Sequence, residues 1–207
     1  MSTCLVGSEM CIRDRTGAVM TPIYATSTYA HDRPGEHKGY EYSRSQNPTR
    51  EVLENSIAEL ESGYKAFAFA SGVAAQTAVL DLLKPGDHVI AFDDLYGGTF
   101  RLFNEIKSKS SNIEFTFVDL NTNFSKEIKK NTKMIWIETP TNPLLKITDL
   151  KRIARIARKN KLITVCDNTF ATPYNQRPLE HGIDIVNHST TKSVSYTHLT
   201  LPTIGEV

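Results

Sequence analysis

No stretch of this chain is long and apolar enough to cross a bilayer as a helix. The uncharged run at residues 66–80 has 15 residues and carries Ser71, Gly72, Gln76 and Thr77; a spanning helix needs roughly 20 apolar ones. An excess of one charge is missing too. Lysine plus arginine number 24 against 23 aspartate plus glutamate, so no overall field gathers nucleic acid or an anionic surface. Cysteine is scarce: Cys4, Cys11 and Cys166 have no paired spacing, which removes a disulfide framework and a zinc site. Cys166 lies inside an apolar run and reads as a buried, inert thiol. The opening "MSTCLVGSEMCIRDR" lacks the basic start and apolar core of a secretory leader. These absences predict a cytoplasmic chain with no nucleic-acid, membrane or metal partner. Its 207 residues suffice to bury a domain core.

What is present alternates. Short continuous apolar runs occur at "AFAFA" (66–70), "HVIAF" (88–92), "IEFTFV" (113–118), "MIWIE" (134–138), "LITVC" (162–166) and "DIVNH" (184–188). Such runs predict strands buried on both faces. Helical patterns separate them. "NPTREVLENSIAELESG" starts with Asn47 as cap and Pro48 at the first helical position, and stops at Gly63. "TDLKRIARIARKN" puts Leu150, Ile153, Ala154 and Ala157 on one face. Strand-helix alternation predicts an α/β fold with a mostly parallel sheet and helices on both faces. Residues 1–15 and 193–207 follow no such pattern. Both look non-native, as stretches joined to a gene by accident do, and they mark the chain as a clipped piece of something longer.

In an open parallel sheet, ligands gather outside the carboxyl ends of the strands. After 66–70, Ser71 and Gly72 open a helix whose first amides favour an anion. The same pair is also a plain cap. After 88–92 comes "DDLYGGT", where Tyr96 can lie over a flat ligand or simply pack. After 134–138, two prolines frame Asn142 in a stiff loop, useful for binding and ordinary for a turn. After 162–166 stands Asp167, a carboxylate following apolar residues, which needs a cationic or donor partner. After 184–188 come Ser189, Thr191 and Lys192, where the bland reading is a solvated lysine at a polar turn. One ligand would use all of these: pyridoxal phosphate (PLP), a flat phosphorylated aldehyde with a cationic ring. Lys192 would condense with the aldehyde, and Asp167 would keep the ring nitrogen protonated.

Seven motifs in order carry a family resemblance: "TPIYATSTY", "YSRSQNPTR", "FASGVAA", "DDLYGGT", "IETPTNPLL", "CDNTFATP" and "HSTTK". Over residues 16–192 the chain resembles the Cys/Met-metabolism group of PLP enzymes, which contains cystathionine γ-synthase, cystathionine γ-lyase, cystathionine β-lyase and methionine γ-lyase. The resemblance implies the aspartate-aminotransferase-like fold (PLP fold type I), truncated before its C-terminal domain. It implies an N-terminal arm and first helix over 16–62, contacting a neighbouring subunit, and an incomplete PLP-binding domain over 63–192. It assigns Lys192 and Tyr96 as catalytic. Asp167 would partner the ring nitrogen with Thr169 beside it. Gly72, Val73, Ser189 and Thr191 would hold the phosphate, and Asn142 would lie near the cofactor hydroxyl and the substrate carboxylate. Tyr42 and Arg44 would reach the neighbour's phosphate in a homodimer or homotetramer. The implied substrate is a small amino acid, either cystathionine or an activated homoserine reacting at its γ-carbon. Glu41 would receive the distal ammonium of cystathionine, or else be a solvated surface residue. Gln46 stands where the family commonly has glycine. The arginine that binds the substrate's α-carboxylate belongs to the family's second half, so the 207-residue chain alone is expected to be inactive.

Other classes fit less well. "STTK" also satisfies the Ser-x-x-Lys pattern of acyl-transfer enzymes, but the companion KTG motif is missing. An aminotransferase would share fold and cofactor without the "YSRSQNPTR" and "YGGT" combination. A non-catalytic partial domain is the remaining alternative.

Overall fold

A computed structural model describes residues 21–193. Apart from Ser193, the two flanks singled out above lie outside the described residues, as do Cys4 and Cys11. The chain forms two units that divide between Ala68 and Phe69.

The first unit holds a short antiparallel pair, β1 (His31–Arg33) and β2 (Glu36–His37), and the helix α1 (Pro48–Leu60). Asn47 caps α1 as expected. Its side-chain oxygen accepts from the amides of Thr49 and Arg50, with Pro48 at the first helical position. Beyond α1, "AFAFA" (66–70) corrects the sequence reading, because it is not a strand. No strand among the described residues pairs with it, and an apolar run without a ladder has nowhere to place its backbone groups in sheet form. The Glu54 carboxylate instead accepts the Ala68 amide at 2.9 Å, and Phe67 and Phe69 are left exposed.

The second unit is a five-stranded sheet in the order β4-β3-β5-β6-β7, parallel at every pairing. Its strands are β3 (His88–Phe92), β4 (Glu114–Val118), β5 (Thr132–Glu138), β6 (Ile163–Asp167) and β7 (Ile185–Asn187). Helix α2 (Gly72–Leu80) precedes β3. Helix α3 (Gly97–Arg101) runs through a π-helical stretch, Leu102–Lys107, into α4 (Ser108–Ser110). Then come α5 (Leu150–Asn160) and α6 (Thr172–Asn175), and a 3₁₀ turn at Thr190–Lys192 follows β7. The other five apolar runs thus became strands within a residue or two of their expected limits.

Packing follows strand position. Val89, Ile90, Ala91 and Phe92 on β3 and Met134 to Ile137 on β5 are all fully buried, as central strands covered on both faces must be. Edge strand β4 is only half-buried, with Phe115 and Phe117 leaning on the core. Helix α5 buries Leu150, Ile153, Ala154 and Ala157, the four residues its periodicity nominates. Burying a leucine- or isoleucine-sized side chain contributes about 1.5–3 kcal/mol. Arg158 and Lys159 sit in its last turn, where cations complement the helix dipole. Cys166 is fully buried on β6. Among the described residues no helix is long and apolar enough to cross a membrane, and no cluster could hold a metal ion.

Because every pairing is parallel, all five carboxyl ends lie at one edge of the sheet. That edge holds the candidate site.

Candidate active site

Glu138, Asp167 and Asn187 end β5, β6 and β7 and pair in register across the three strands. They form one row of buried polar side chains. Asp167 lies at its centre. Its Oδ1 accepts the Thr169 amide at 3.0 Å. Its Oδ2 accepts from Asn187 Nδ2 at 3.0 Å and from Gln76 Nε2 of α2 at 3.3 Å. A carboxylate can accept about four hydrogen bonds, so three donors fix its orientation and leave room for one more. Gln76 is itself held, since its Oε1 accepts from the Thr99 hydroxyl at 3.1 Å.

The bonds continue from Asp167 to the lysine. Thr169 Oγ1 accepts the Ser189 amide at 2.9 Å, and the Ser189 carbonyl accepts the Lys192 amide at 3.0 Å. Lys192 ends the 3₁₀ turn with an exposed side chain, and Thr191 beside it is exposed as well. Ser189 meets the start of α2. A Cβ placed on Gly72 would come within 2.8 Å of Ser189 Cβ and 3.1 Å of its Oγ, so only glycine permits this approach. Ser71 caps the helix by accepting the Ala74 amide at 3.1 Å, which leaves the earlier amides, including that of Val73, without a capping bond from it. An amide-lined helix start, the Ser189 hydroxyl and the nearby Thr191 make a donor set suited to a phosphate.

Two loops frame the row. In the first, the Tyr96 amide donates to Glu138 Oε2 at 2.9 Å. The Tyr96 ring lies against Gly98, where a Cβ would collide with it. Tyr96 is 44% exposed, so it packs against Gly98 while remaining open to solvent. In the second loop, Asn142 is half-buried and the peptide bonds before Pro140 and Pro143 are both cis. Asp94 ties the loops together, accepting from the Thr141 hydroxyl at 2.5 Å and from the Leu144 amide at 3.0 Å.

Glu41, Tyr42 and Arg44 belong to the first unit. The Arg44 guanidinium lies 5.1 Å from the centre of the Tyr42 ring, and Arg44 and Glu41 are exposed. The Tyr42 carbonyl accepts the amides of Ser45 and Gln46.

The second unit therefore brings together Gly72, Val73, Ser189, Thr191 and Lys192 at one end of a bonded chain that begins at Asp167, and it packs Tyr96 on a neighbouring loop. Four further residues are integral to the arrangement: Gln76, Asp94, Glu138 and Asn187. Glu138 carried the same signal as Asp167, a carboxylate closing an apolar strand. Gln76 was a lone amide on an apolar helix. The donor set fits PLP: a helix start for the phosphate, a half-open aromatic ring, a carboxylate with spare acceptor capacity and an exposed lysine.

Known proteins match the chain in the same sense. The profile of the family described as "Cys/Met metabolism PLP-dependent enzyme" matches residues 2–198. A cystathionine beta-lyase of Coxiella burnetii is 57% identical over 179 residues, covering 86% of this chain and 46% of that protein. A cystathionine gamma-lyase of Bacillus subtilis is 54% identical, covering 86% and 48%. A probable cystathionine gamma-synthase of Herpetosiphon aurantiacus is 51% identical, covering 86% and 56%. The crystal structure of metB from Corynebacterium glutamicum superposes with a TM-score of 0.83 at 45% identity, over 86% of this chain and 47% of that one. The chain spans about half the length of the curated relatives it matches.

Proposed function

The chain belongs to the Cys/Met metabolism family of PLP-dependent enzymes, and on that premise we propose that it carries the cofactor-binding portion of a transsulfuration enzyme. The proposed reaction is at the γ-carbon of cystathionine or of an activated homoserine, as in a cystathionine γ-synthase or γ-lyase. The single observation that carries the cofactor reading is the bonded chain from Asp167 through Thr169 and Ser189 to Lys192. It ties a fixed carboxylate to the backbone of a lysine whose side chain is exposed, with the Gly72 helix start packed against its middle.

When bound, PLP supplies an electron sink for charge developing at the substrate's α-carbon. The chain's own residues do the rest. Lys192 would hold the cofactor through its Nζ and would serve as the base for the substrate's α-proton. Asp167 holds a proton on the ring nitrogen, and Thr169 keeps Asp167 and the Ser189 turn in mutual register. The Tyr96 ring covers the heterocycle. The amides of Gly72 and Val73 and the hydroxyls of Ser189 and Thr191 hold the phosphate, while Asn142 orients the substrate carboxylate. Tyr42 and Arg44 act on a neighbouring subunit's phosphate in a homodimer or homotetramer, an arginine fork being suited to phosphate. The 207-residue chain alone does not turn over.

Adding PLP to the chain tests the cofactor reading. A visible absorption band should form and be lost in Lys192→Ala; no band with the unsubstituted chain overturns it. A second reaction, cystathionine β-lyase activity, is favoured by the 57% identity to the Coxiella protein of that name. The exposed Glu41 beside Tyr42 supports the γ-reading, as a site for the distal ammonium. The complete protein given cystathionine separates them: with uptake of water, cleavage at the γ-carbon releases cysteine, 2-oxobutyrate and ammonia, while cleavage at the β-carbon releases homocysteine, pyruvate and ammonia.

A further inference from the structure

Three buried carboxyls converge at the carboxyl edge of the sheet. Asp94 is 8% exposed, Glu138 5% and Asp167 7%. Among the described residues none of them is in an ion pair. Three neighbouring negative charges without a cation cannot all persist in a poorly hydrated place. Strand order decides which one gives way. β5 lies between β3 and β6, so Glu138 is the middle carboxyl, with Asp94 after β3 on one side and Asp167 on the other. Their donors differ as well. Asp167 takes three and Asp94 takes a hydroxyl and an amide, whereas Glu138 relies on backbone amides from the Tyr96 and Asn142 loops.

We propose that Glu138 is a positioning residue that serves the site as a carboxylic acid, holding the Tyr96 and Asn142 loops over the strand ends while Asp167 keeps the negative charge. The acid form accepts the Tyr96 amide without adding a second charge beside Asp167. A carboxylate there would repel the charge on Asp167. Burial first, then the charges of Asp167 and Asp94, push the Glu138 carboxyl up to about 8, against the pull of the Tyr96 and Asn142 amides. The titratable groups facing it are those two aspartates; β7 and α2 contribute only the neutral amides Asn187 and Gln76 beside Asp167. Placing a cation against Asp167 removes the larger of the two repulsions, so Glu138 then releases its proton to solvent at lower pH. Only that last step rests on the PLP reading.

The titration is measurable on the unliganded 207-residue chain. With ¹³C-labelled glutamate, one side-chain carboxyl should titrate near 8 and be missing from Glu138→Gln. All glutamates titrating below about 6, or a high-titrating signal that survives in Glu138→Gln, overturns the inference. Trp136, the chain's single tryptophan, lies two residues away on the same face of β5, about 7 Å along the strand. Its fluorescence should shift with the same midpoint, and Glu138→Gln should abolish the shift. With PLP, Glu138→Gln should bind at least tenfold tighter than Glu138→Ala at pH 7, because glutamine keeps the neutral acceptor. Equal weakness of the two variants is the contrary result. Should no PLP bind while the titration stays near 8, the cofactor reading falls and the role of Glu138 as an acid stands.

Discussion

The two ends of the same sheet bury polar side chains in opposite ways. At the amino end, His88 opens β3 with no exposed surface. Its Nδ1 is paired with Thr132 Oγ1 at 2.7 Å and its Nε2 with Thr116 Oγ1 at 2.8 Å. The Thr132 hydroxyl also accepts the Lys129 amide at 2.7 Å. Both ring nitrogens are used, and the cluster joins β3, β4 and β5 with nothing left to offer a ligand. At the carboxyl end, Asp167 retains acceptor capacity and Asn187 Oδ1 is buried without a partner among the described residues. Tyr96 is half-open and Lys192 is exposed. Satisfied polar burial staples strands together; polar burial with capacity to spare, beside exposed reactive groups, is where a ligand completes the bonding.

Substitutions at the two ends should therefore separate affinity from stability. The largest effect belongs to Asp167→Asn, which keeps shape and loses charge. PLP affinity measured by absorbance titration should fall at least a hundredfold, about 2.7 kcal/mol. His88→Ala should do the reverse. Losing a fully buried ring and stranding two threonine hydroxyls costs about 2–3 kcal/mol in denaturant unfolding, with PLP affinity unchanged while the chain is folded. Gly72→Ala forces the α2 start away from Ser189 and should weaken PLP about tenfold, roughly 1.4 kcal/mol. The smallest is Thr116→Val, which removes one partner of His88 and should cost about 1 kcal/mol of stability.

The ends also respond to pH with opposite sign. Burial, then the Lys129 ammonium, lower the proton affinity of His88 below its ordinary value of 6.5. The unfolded chain binds that proton more readily, so the contribution of His88 is full above about pH 6.5 and is lost as pH falls through the lower folded value. Glu138 is shifted up, so the folded chain holds a proton that the unfolded chain has released. Its contribution is full below about 4.5 and declines as pH rises toward about 8. Unfolding curves across pH should lose the acid-side decline in His88→Ala and the alkaline-side decline in Glu138→Gln.

Much of this was legible in the sequence, for local reasons. β3 and α5 could be read because an unbroken apolar run and a 3.6-residue stripe each report their own burial. Asp167, Tyr96 and Lys192 could be singled out because each closes or follows such a run. The strand expected at 66–70 failed because a strand needs a neighbour, and no local pattern reveals whether one is present. Gln76 was overlooked because its partner, Asp167, is 91 residues away. Glu138 had the right signal, but its meaning depends on standing between two other acids, which only the strand order reveals.

The central claim is that Asp167 keeps a proton on the heterocycle of bound PLP. The ¹⁵N chemical shift of ring-labelled PLP bound to the chain tests it most directly. The account predicts a pyridinium shift that persists to higher pH than for PLP free in solution. A free-base shift in the bound cofactor at neutral pH would contradict it.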